Sequence, residues 1–147
     1  MGEIERLQEH LLLIRRGLGW TAVEFGEKIG VTRQTINNLE ANDSRKAKLS
    51  KTQYLAIRKV IEDEFIASPD DMKMIQSLLE ILVDHPDQYP EAERQNVVMK
   101  AGMIAPSILA KSSTRTAVSE EWITMIGSGA LGTVVAHSVT PLEPNII

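Results

Sequence analysis

Residues 20–42, WTAVEFGEKIGVTRQTINNLEAN, carry the pattern that decides the fold. Thr21 is a helix N-cap candidate with a glutamate three residues later as its capping-box partner, and Thr32 is a second N-cap candidate. These signals predict two short helices joined by a tight turn. Gly26 supplies a small residue where such helices approach closely, and Gly30 supplies a turn residue that tolerates positive φ.

The apolar positions that would lock the two helices together are Phe25, Ile29, Val31, Ile36 and Leu39. With the glycines, this pattern resembles the lambda-repressor-like Cro/XRE family of helix-turn-helix DNA-binding domains, and the resemblance covers residues 3–66. It implies that residues 32–41 form a recognition helix that lies in the major groove. Two positions depart from the family. Many members carry a phosphate-contacting Gln where this chain has Ala22, and Asn42 stands where the family often has a Gly C-cap.

The resemblance also implies roles for the polar side chains on and after this helix. Amide and guanidinium groups can pair bidentately with base edges, and the candidate base-reading residues are Arg33, Gln34, Asn37 and Asn38. Short hydroxyls and flexible cations bind phosphate without reading sequence, and the candidate phosphate-binding residues are Thr32, Thr35, Arg45, Lys46 and Lys48. The alternative left open is that this polar row is only the solvated face of a short helix.

Apolar periodicity predicts an all-α protein. Together with the resemblance, it implies a lambda-repressor-like helix-turn-helix domain followed by a C-terminal helical region. One helix over residues 4–16, the two short helices and a helix from about residue 50 to 65 fill a DNA-binding domain of residues 1–68. A helix-start signal, Ser68-Pro69-Asp70-Asp71, places the boundary there. Residues 69–147 are then an oligomerisation or effector region, with helices before Pro86, over about 91–103 and over 119–139, and with Pro106 interrupting the pattern.

Two apolar stripes in the second region predict an oligomer contact. One stripe runs along its first helix, and the other lies in the uncharged segment 122–142, where small residues let two backbones approach. The predicted contact residues are Ile75, Leu78, Leu79, Leu82, Val83, Gly129 and Gly132. Polar residues dilute the uncharged segment, and its acidic flank gives no positive-inside signal, which argues against a membrane span.

Charge is unevenly placed along the 147 residues, whose net charge is −4. Residues 1–68 hold 11 Lys/Arg and 10 Asp/Glu, whereas residues 69–147 hold 5 and 10. Residues 31–60 contain seven basic and two acidic residues, a local charge of +5. Affinity for a polyanion follows the local field, so the acidic total is compatible with a nucleic-acid partner.

The remaining features exclude several classes of protein. The chain has no cysteine, which excludes disulfides and Cys-based metal sites and fits a reducing, cytoplasmic compartment, and the first ten residues carry no secretory signal. Residues 127–132 spell GxGxxG, but no βαβ context surrounds this motif. His10, His85 and His137 lie far apart, and no set of nucleophile, base and orienting residue can be proposed. We therefore expect no cofactor, no metal and no enzymatic activity.

These observations favour a sequence-specific transcriptional regulator, a dimeric repressor that binds a pseudo-palindromic operator in double-stranded DNA. The expected partners are DNA, a second copy of the chain, and a protein or small-ligand effector at the C-terminal region. Two alternatives stay open. One is an antitoxin or phage-type regulator whose C-terminal region binds a protein, and the other is an interaction or assembly protein that reuses the fold without reading DNA.

Overall fold

The computed structural model describes residues 2–126, and this part of the chain is all-helical. Its α-helices are α1 (Glu3–Glu9), α2 (Leu11–Leu18), α3 (Ala22–Ile29), α4 (Arg33–Glu40), α5 (Lys51–Ala67), α6 (Lys73–Leu78), α7 (Glu91–Leu109) and α8 (Arg115–Ile126). Residues 79–84 continue α6 with π-type hydrogen bonding, and 3₁₀ turns form at Pro69–Asp71 and Pro86–Gln88.

The helix predicted over residues 4–16 is two helices, because the backbone leaves the helical conformation at His10, where φ is −109° and ψ is 16°. The break gives the two halves different neighbours: α1 packs against residues 79–84, whereas α2 packs against α7. The sequence pattern missed the break because apolar residues recur at helical spacing on both sides of it.

Helix starts follow the predicted caps in the N-terminal part. The Thr21 hydroxyl accepts from the Glu24 N–H at 3.1 Å, and the Glu24 carboxylate accepts from the Thr21 N–H at 2.8 Å. The hydrogen bond from the Thr21 N–H is the main cause of the lowered pKa of Glu24. The same reciprocal arrangement joins Ser50 and Gln53 at the start of α5.

The helix boundaries after residue 68 differ from the prediction. Ser68 precedes a 3₁₀ turn, and α6 begins only at Lys73. Helix α7 continues through Pro106 to Leu109. The helix residues on either side of this proline are buried, and their packing holds the backbone helical. Helix α8 begins at Arg115, four residues before the predicted start at position 119. Thr114 caps it by accepting from the Ala117 N–H at 3.1 Å. The predicted extension to residue 139 lies outside the described residues.

The described residues share one hydrophobic core across the predicted boundary at residue 68. Helix α2 packs on α7 and α6, and Gly17 sits so close to α6 that an added Cβ would be 2.9 Å from the side chains of Met74 and Ile75. Trp122 of α8 is fully buried, and its indole N–H donates to the Ser77 hydroxyl at 3.1 Å. The helix-turn-helix part is therefore built on the helices that follow it.

Three polar contacts also join the two regions of the chain. Arg58 and Asp84 form a two-pronged ion pair at 2.8 and 3.0 Å, and Arg115 pairs with Glu64 at 2.8 Å. The Arg6 guanidinium donates to the carbonyl of residue 83 at 2.8 Å. These contacts surround the shared core and fix the orientation of α1 and α5 on the later helices.

The structure corrects the role predicted for the first apolar stripe of the C-terminal region. Each of these side chains is buried within the single chain, with 0–9% of its surface exposed: Ile75, Leu78, Leu79, Leu82 and Val83. Intramolecular packing therefore accounts for the stripe without a second subunit. Gly129 and Gly132 lie outside the described residues. None of the helices in the described part combines the length and apolar character needed to cross a membrane.

We expect Trp122→Ala to lower the free energy of unfolding by about 3–5 kcal/mol, because it empties a large buried site. The remaining tryptophan, Trp20, lies in the helix-turn-helix part, so its fluorescence reports on that part during urea unfolding. A shared core predicts that the Trp20 transition moves to lower urea together with the circular-dichroism transition. Ile66→Ala, at a 70% exposed side chain, is the control. An unchanged Trp20 transition would show that residues 1–68 fold independently.

His10 gives the stability a pH dependence. Burial lowers the pKa of His10 below its usual 6.5, and the charge of Glu9 opposes this shift only in part. The folded state therefore binds fewer protons than the unfolded state, and the free energy of unfolding falls as the pH drops below about 6.5. His10→Gln should flatten this slope in thermal unfolding measured between pH 7 and 5. The exposed His85→Gln is the control, and equal slopes for both variants would contradict the assignment.

Candidate nucleic-acid interface

The turn between α3 and α4 confirms the roles predicted for the two glycines. Gly30 takes a left-handed conformation, with φ 82° and ψ 29°, and its N–H donates to the Gly26 carbonyl at 2.8 Å. A Cβ on Gly26 would lie 2.6 Å from the Val31 carbonyl oxygen. Both positions therefore require glycine, one for its backbone conformation and one for space. The tight turn sets the angle between the two helices.

A buried ion pair fixes α4 on α2. The Arg15 guanidinium donates to both carboxylate oxygens of Glu40, at 2.6 and 3.0 Å, and to the Trp20 carbonyl at 3.0 Å. The two side chains are only 9% and 8% exposed. The fork-like, two-bond geometry sets both the distance and the rotation of the last turn of α4 relative to α2.

Gln8 holds the other side of the same region. Its amide nitrogen donates to the carbonyls of Leu39 and Ala47, at 3.0 and 2.6 Å, and its amide oxygen accepts from the Leu49 N–H at 3.0 Å. One buried side chain thus satisfies the backbone at the end of α4 and in the loop that follows. The basic loop is tied to α4 through α1.

Sequence reasoning assigned no role to Gln8 or Arg15. The signal was present, because both residues lie three or four positions from Leu11 and so share the apolar face that becomes the core. A polar residue on a core-facing stripe needs a partner, since an unpaired buried polar group is costly. Apart from the Trp20 carbonyl, their partners lie 25 to 41 residues away, and periodicity alone cannot identify such contacts.

The predicted base-reading residues share the outer side of α4. Arg33 and Gln34 are exposed, and Asn37 and Asn38 are partly exposed, while Ile36 and Leu39 on the inner side are buried. The Gln34 amide donates to the Asn38 side-chain oxygen at 2.9 Å. This contact holds the two amide groups together across one turn of α4, on the exposed side that bidentate recognition of base edges would use.

The predicted phosphate-binding residues fall into two groups. Thr32 caps α4 by accepting from the Thr35 N–H at 3.1 Å, and the two hydroxyl oxygens lie 3.0 Å apart. The loop cations are exposed: Arg45, Lys46 and Lys48. Arg45 donates to both carboxylate oxygens of Asp43, a contact that lowers the pKa of Asp43 and raises the pKa of Arg45. To bind a phosphate, Arg45 would have to exchange this partner.

Asn42 does not take the left-handed conformation that its position suggested. Helix α4 ends instead on Ala41 in an extended conformation, with φ −67° and ψ 151°. The loop is held by the Ala47 N–H, which donates to the Asn38 carbonyl at 3.0 Å, and by Gln8. These contacts replace the glycine-type C-cap.

Trp20 borders the start of α3 and carries a cation above it. Its ring stacks on Phe25 with 6.0 Å between ring centroids, and the Lys28 ammonium lies 4.6 Å from the Trp20 ring centroid. Lys28 is exposed and adds positive charge to the helix-turn-helix side.

Over residues 2–126, no cluster of three or more Asp, Glu or His side chains could hold a metal ion.

We expect Glu40→Gln to lower the free energy of unfolding by about 3–5 kcal/mol, because it leaves the Arg15 guanidinium buried without a counter-charge. Chemical denaturation measures the change. Replacing both partners by methionine should restore most of the stability, since neither buried charge then remains. Breaking the exposed Lys59–Asp63 pair by Asp63→Asn is the control, with a loss below about 1 kcal/mol. A similarly small loss for Glu40→Gln would show that the pair does not fix α4.

The comparisons with known proteins agree with this geometry. Residues 11–54 match a family model described as helix-turn-helix, a range that begins with α2 and ends in the first turn of α5. No curated protein and no solved structure gives a significant match to the chain. The matched range contains the turn at Gly30, the Arg15–Glu40 pair and the outward side of α4. Residues 11–54 are thus similar to the helix-turn-helix of the Cro/C1 type, a segment found in DNA-binding regulators.

Proposed function

We propose that this protein is a sequence-specific transcriptional regulator that acts as a dimeric repressor on a pseudo-palindromic operator in the cytoplasm. The observation that carries the proposal is an α4 whose inner side is locked by Gln8 and Arg15 while its outer side presents amide groups. A reading helix needs this combination, because base contacts discriminate only when the helix orientation is fixed.

The outward residues divide by chemistry into readers and anchors. Gln34 and Asn38 suit the N6/N7 edge of adenine, and Arg33 suits the O6/N7 edge of guanine, with Asn37 as a further reader. Hydroxyls and loop cations suit the backbone: Thr32, Thr35, Arg45, Lys46 and Lys48. The reading helix enters the major groove in this proposal, and the loop after it follows the adjacent phosphates.

A dimer is part of the proposal because one module of this size makes few base contacts. Two reading helices about one turn of DNA apart, roughly 34 Å, would bind successive major grooves of a two-fold symmetric site. The second copy supplies the additional phosphate and base contacts that specific affinity requires. Selection of bound sequences from a random DNA pool tests the function directly, and we expect an enriched inverted repeat. The absence of any enriched motif would reject sequence-specific binding.

We expect Gln34→Ala and Asn38→Ala each to weaken binding to the selected site by about 1–3 kcal/mol and to leave binding to random duplex nearly unchanged. Fluorescence anisotropy on both duplexes measures the difference. Lys48→Ala is the matched contrast: it should weaken both duplexes alike and make the salt dependence shallower, because it removes a phosphate contact. Equal losses on cognate and random DNA for the two amide variants would show that they do not read bases.

A further inference from the structure

Helix α5 has an exposed face on the side away from the core. The members of this face, which we call the α5 stripe, follow one another at intervals of three or four residues, and all are exposed: Leu55, Lys59, Glu62 and Ile66. At 3.6 residues per turn, these positions fall within a sector of about 60° around the helix axis. The buried side chains of α5 lie on the other side of the helix: Tyr54, Ile57 and Ile61.

The α5 stripe is apolar at both ends and charged in the middle. Leu55 and Ile66 are 54% and 70% exposed, and they lie about 17 Å apart along the helix. Large aliphatic side chains left in water on one helix face indicate a contact surface. Between them, the Lys59 ammonium donates to Asp63 at 2.9 Å in a solvent-exposed pair. The Glu62 carboxylate accepts no hydrogen bond from the other described residues.

We propose that the α5 stripe is the dimer interface and that it packs against the α5 stripe of a second copy in antiparallel orientation. In a two-fold contact, residue i meets residue j while j meets i. Positions 55 and 66 are equally far from the midpoint between residues 60 and 61, and so are positions 59 and 62. Each Leu55 therefore lies opposite Ile66 of the second copy, and each Lys59 lies opposite Glu62 of the second copy.

The order of residues along the α5 stripe favours a second copy as the occupant. In the reverse direction the stripe is again apolar at both ends, and each charge in the middle is replaced by its opposite. An antiparallel copy is therefore complementary at every position, whereas a parallel copy would oppose Lys59 to Lys59 and Glu62 to Glu62. An ammonium group has three donors, so Lys59 can keep Asp63 and also donate to Glu62 of the second copy.

The place of α5 in the fold also suits a dimer of DNA-binding parts. The basic loop after α4 leads directly into α5, and α5 packs against α3. Contact through the α5 stripe therefore joins the two helix-turn-helix parts directly. One helix from each copy makes a small interface, so we expect weak association in the absence of DNA.

This inference names the surface of the dimer in the proposed function and rests on that function only for the need to dimerise. Its test needs no DNA. Sedimentation equilibrium of the full chain should show a monomer–dimer equilibrium in the micromolar range. Leu55→Ser should raise the dissociation constant about tenfold or more, because the lost apolar contact recurs at both ends of the interface. Met99→Ser, at a side chain of α7 with matched exposure, 57%, should leave it unchanged.

Charge reversal tests the orientation. Lys59→Glu and Glu62→Lys should each weaken the dimer, because the pairs in the middle then oppose like charges. A mixture of the two variants should form a heterodimer with opposite charges in both pairs, and the double variant should recover self-association. Glu121→Lys makes the same change in net charge as Glu62→Lys at an exposed position of α8, and it should leave the dissociation constant unchanged.

Lys59→Glu also places a glutamate four residues before Asp63 in its own helix, which weakens the helix by a few tenths of a kcal/mol at most, about the strength of one surface pair. Thermal unfolding of each variant, measured below the dissociation constant, verifies that the monomer is folded. The mixture keeps the test independent of this local effect, because it contains the same chains.

A full chain that stays monomeric at micromolar concentration overturns the proposal. A mixture that associates no better than the single variants also overturns it, as does an equal effect of Leu55→Ser and Met99→Ser. A monomeric chain that still selects a DNA motif would reject this surface while leaving the proposed DNA binding intact.

Discussion

The buried Arg15–Glu40 pair connects the hydrophobic core of this protein to the helix whose outer side is polar. Arg15 belongs to α2, whose apolar side packs into the core shared with α6 and α7, and Glu40 ends the helix that carries the outward amides. A charge pair this deeply buried tolerates little displacement, because each partner would be left uncompensated. This ion pair therefore fixes the position of α4 relative to the core.

The C-terminal helices act as a scaffold for α4. Helix α2 lies between α4 on one side and α7 on the other, and residues 79–84 support α1, from which Gln8 holds the basic loop. Helix α2 therefore contacts α7 directly and holds α4 through its ion pair.

Electrostatics divides the same chain into two surfaces. The cations after α4 are exposed and lie in a locally positive stretch, while most cations of the later helices are held by protein oxygens, as Lys73 is by Asp70 and Lys100 by the Met125 carbonyl. A polyanion would consequently be attracted to the helix-turn-helix side. The acidic total charge of the chain is compatible with this, since the field at close range follows the nearest charges.

The sequence by itself determined the helix-turn-helix, because its signals are local: capping boxes at Thr21 and Ser50, a left-handed Gly30 and a close approach at Gly26 depend on residues a few positions apart. It also predicted which side of α4 is polar. Only the tertiary structure decided that the stripe at Ile75 to Val83 is core, that α7 continues through Pro106, and that Gln8 and Arg15 hold α4 in place. These features depend on partners distant in sequence, which a periodic pattern cannot specify.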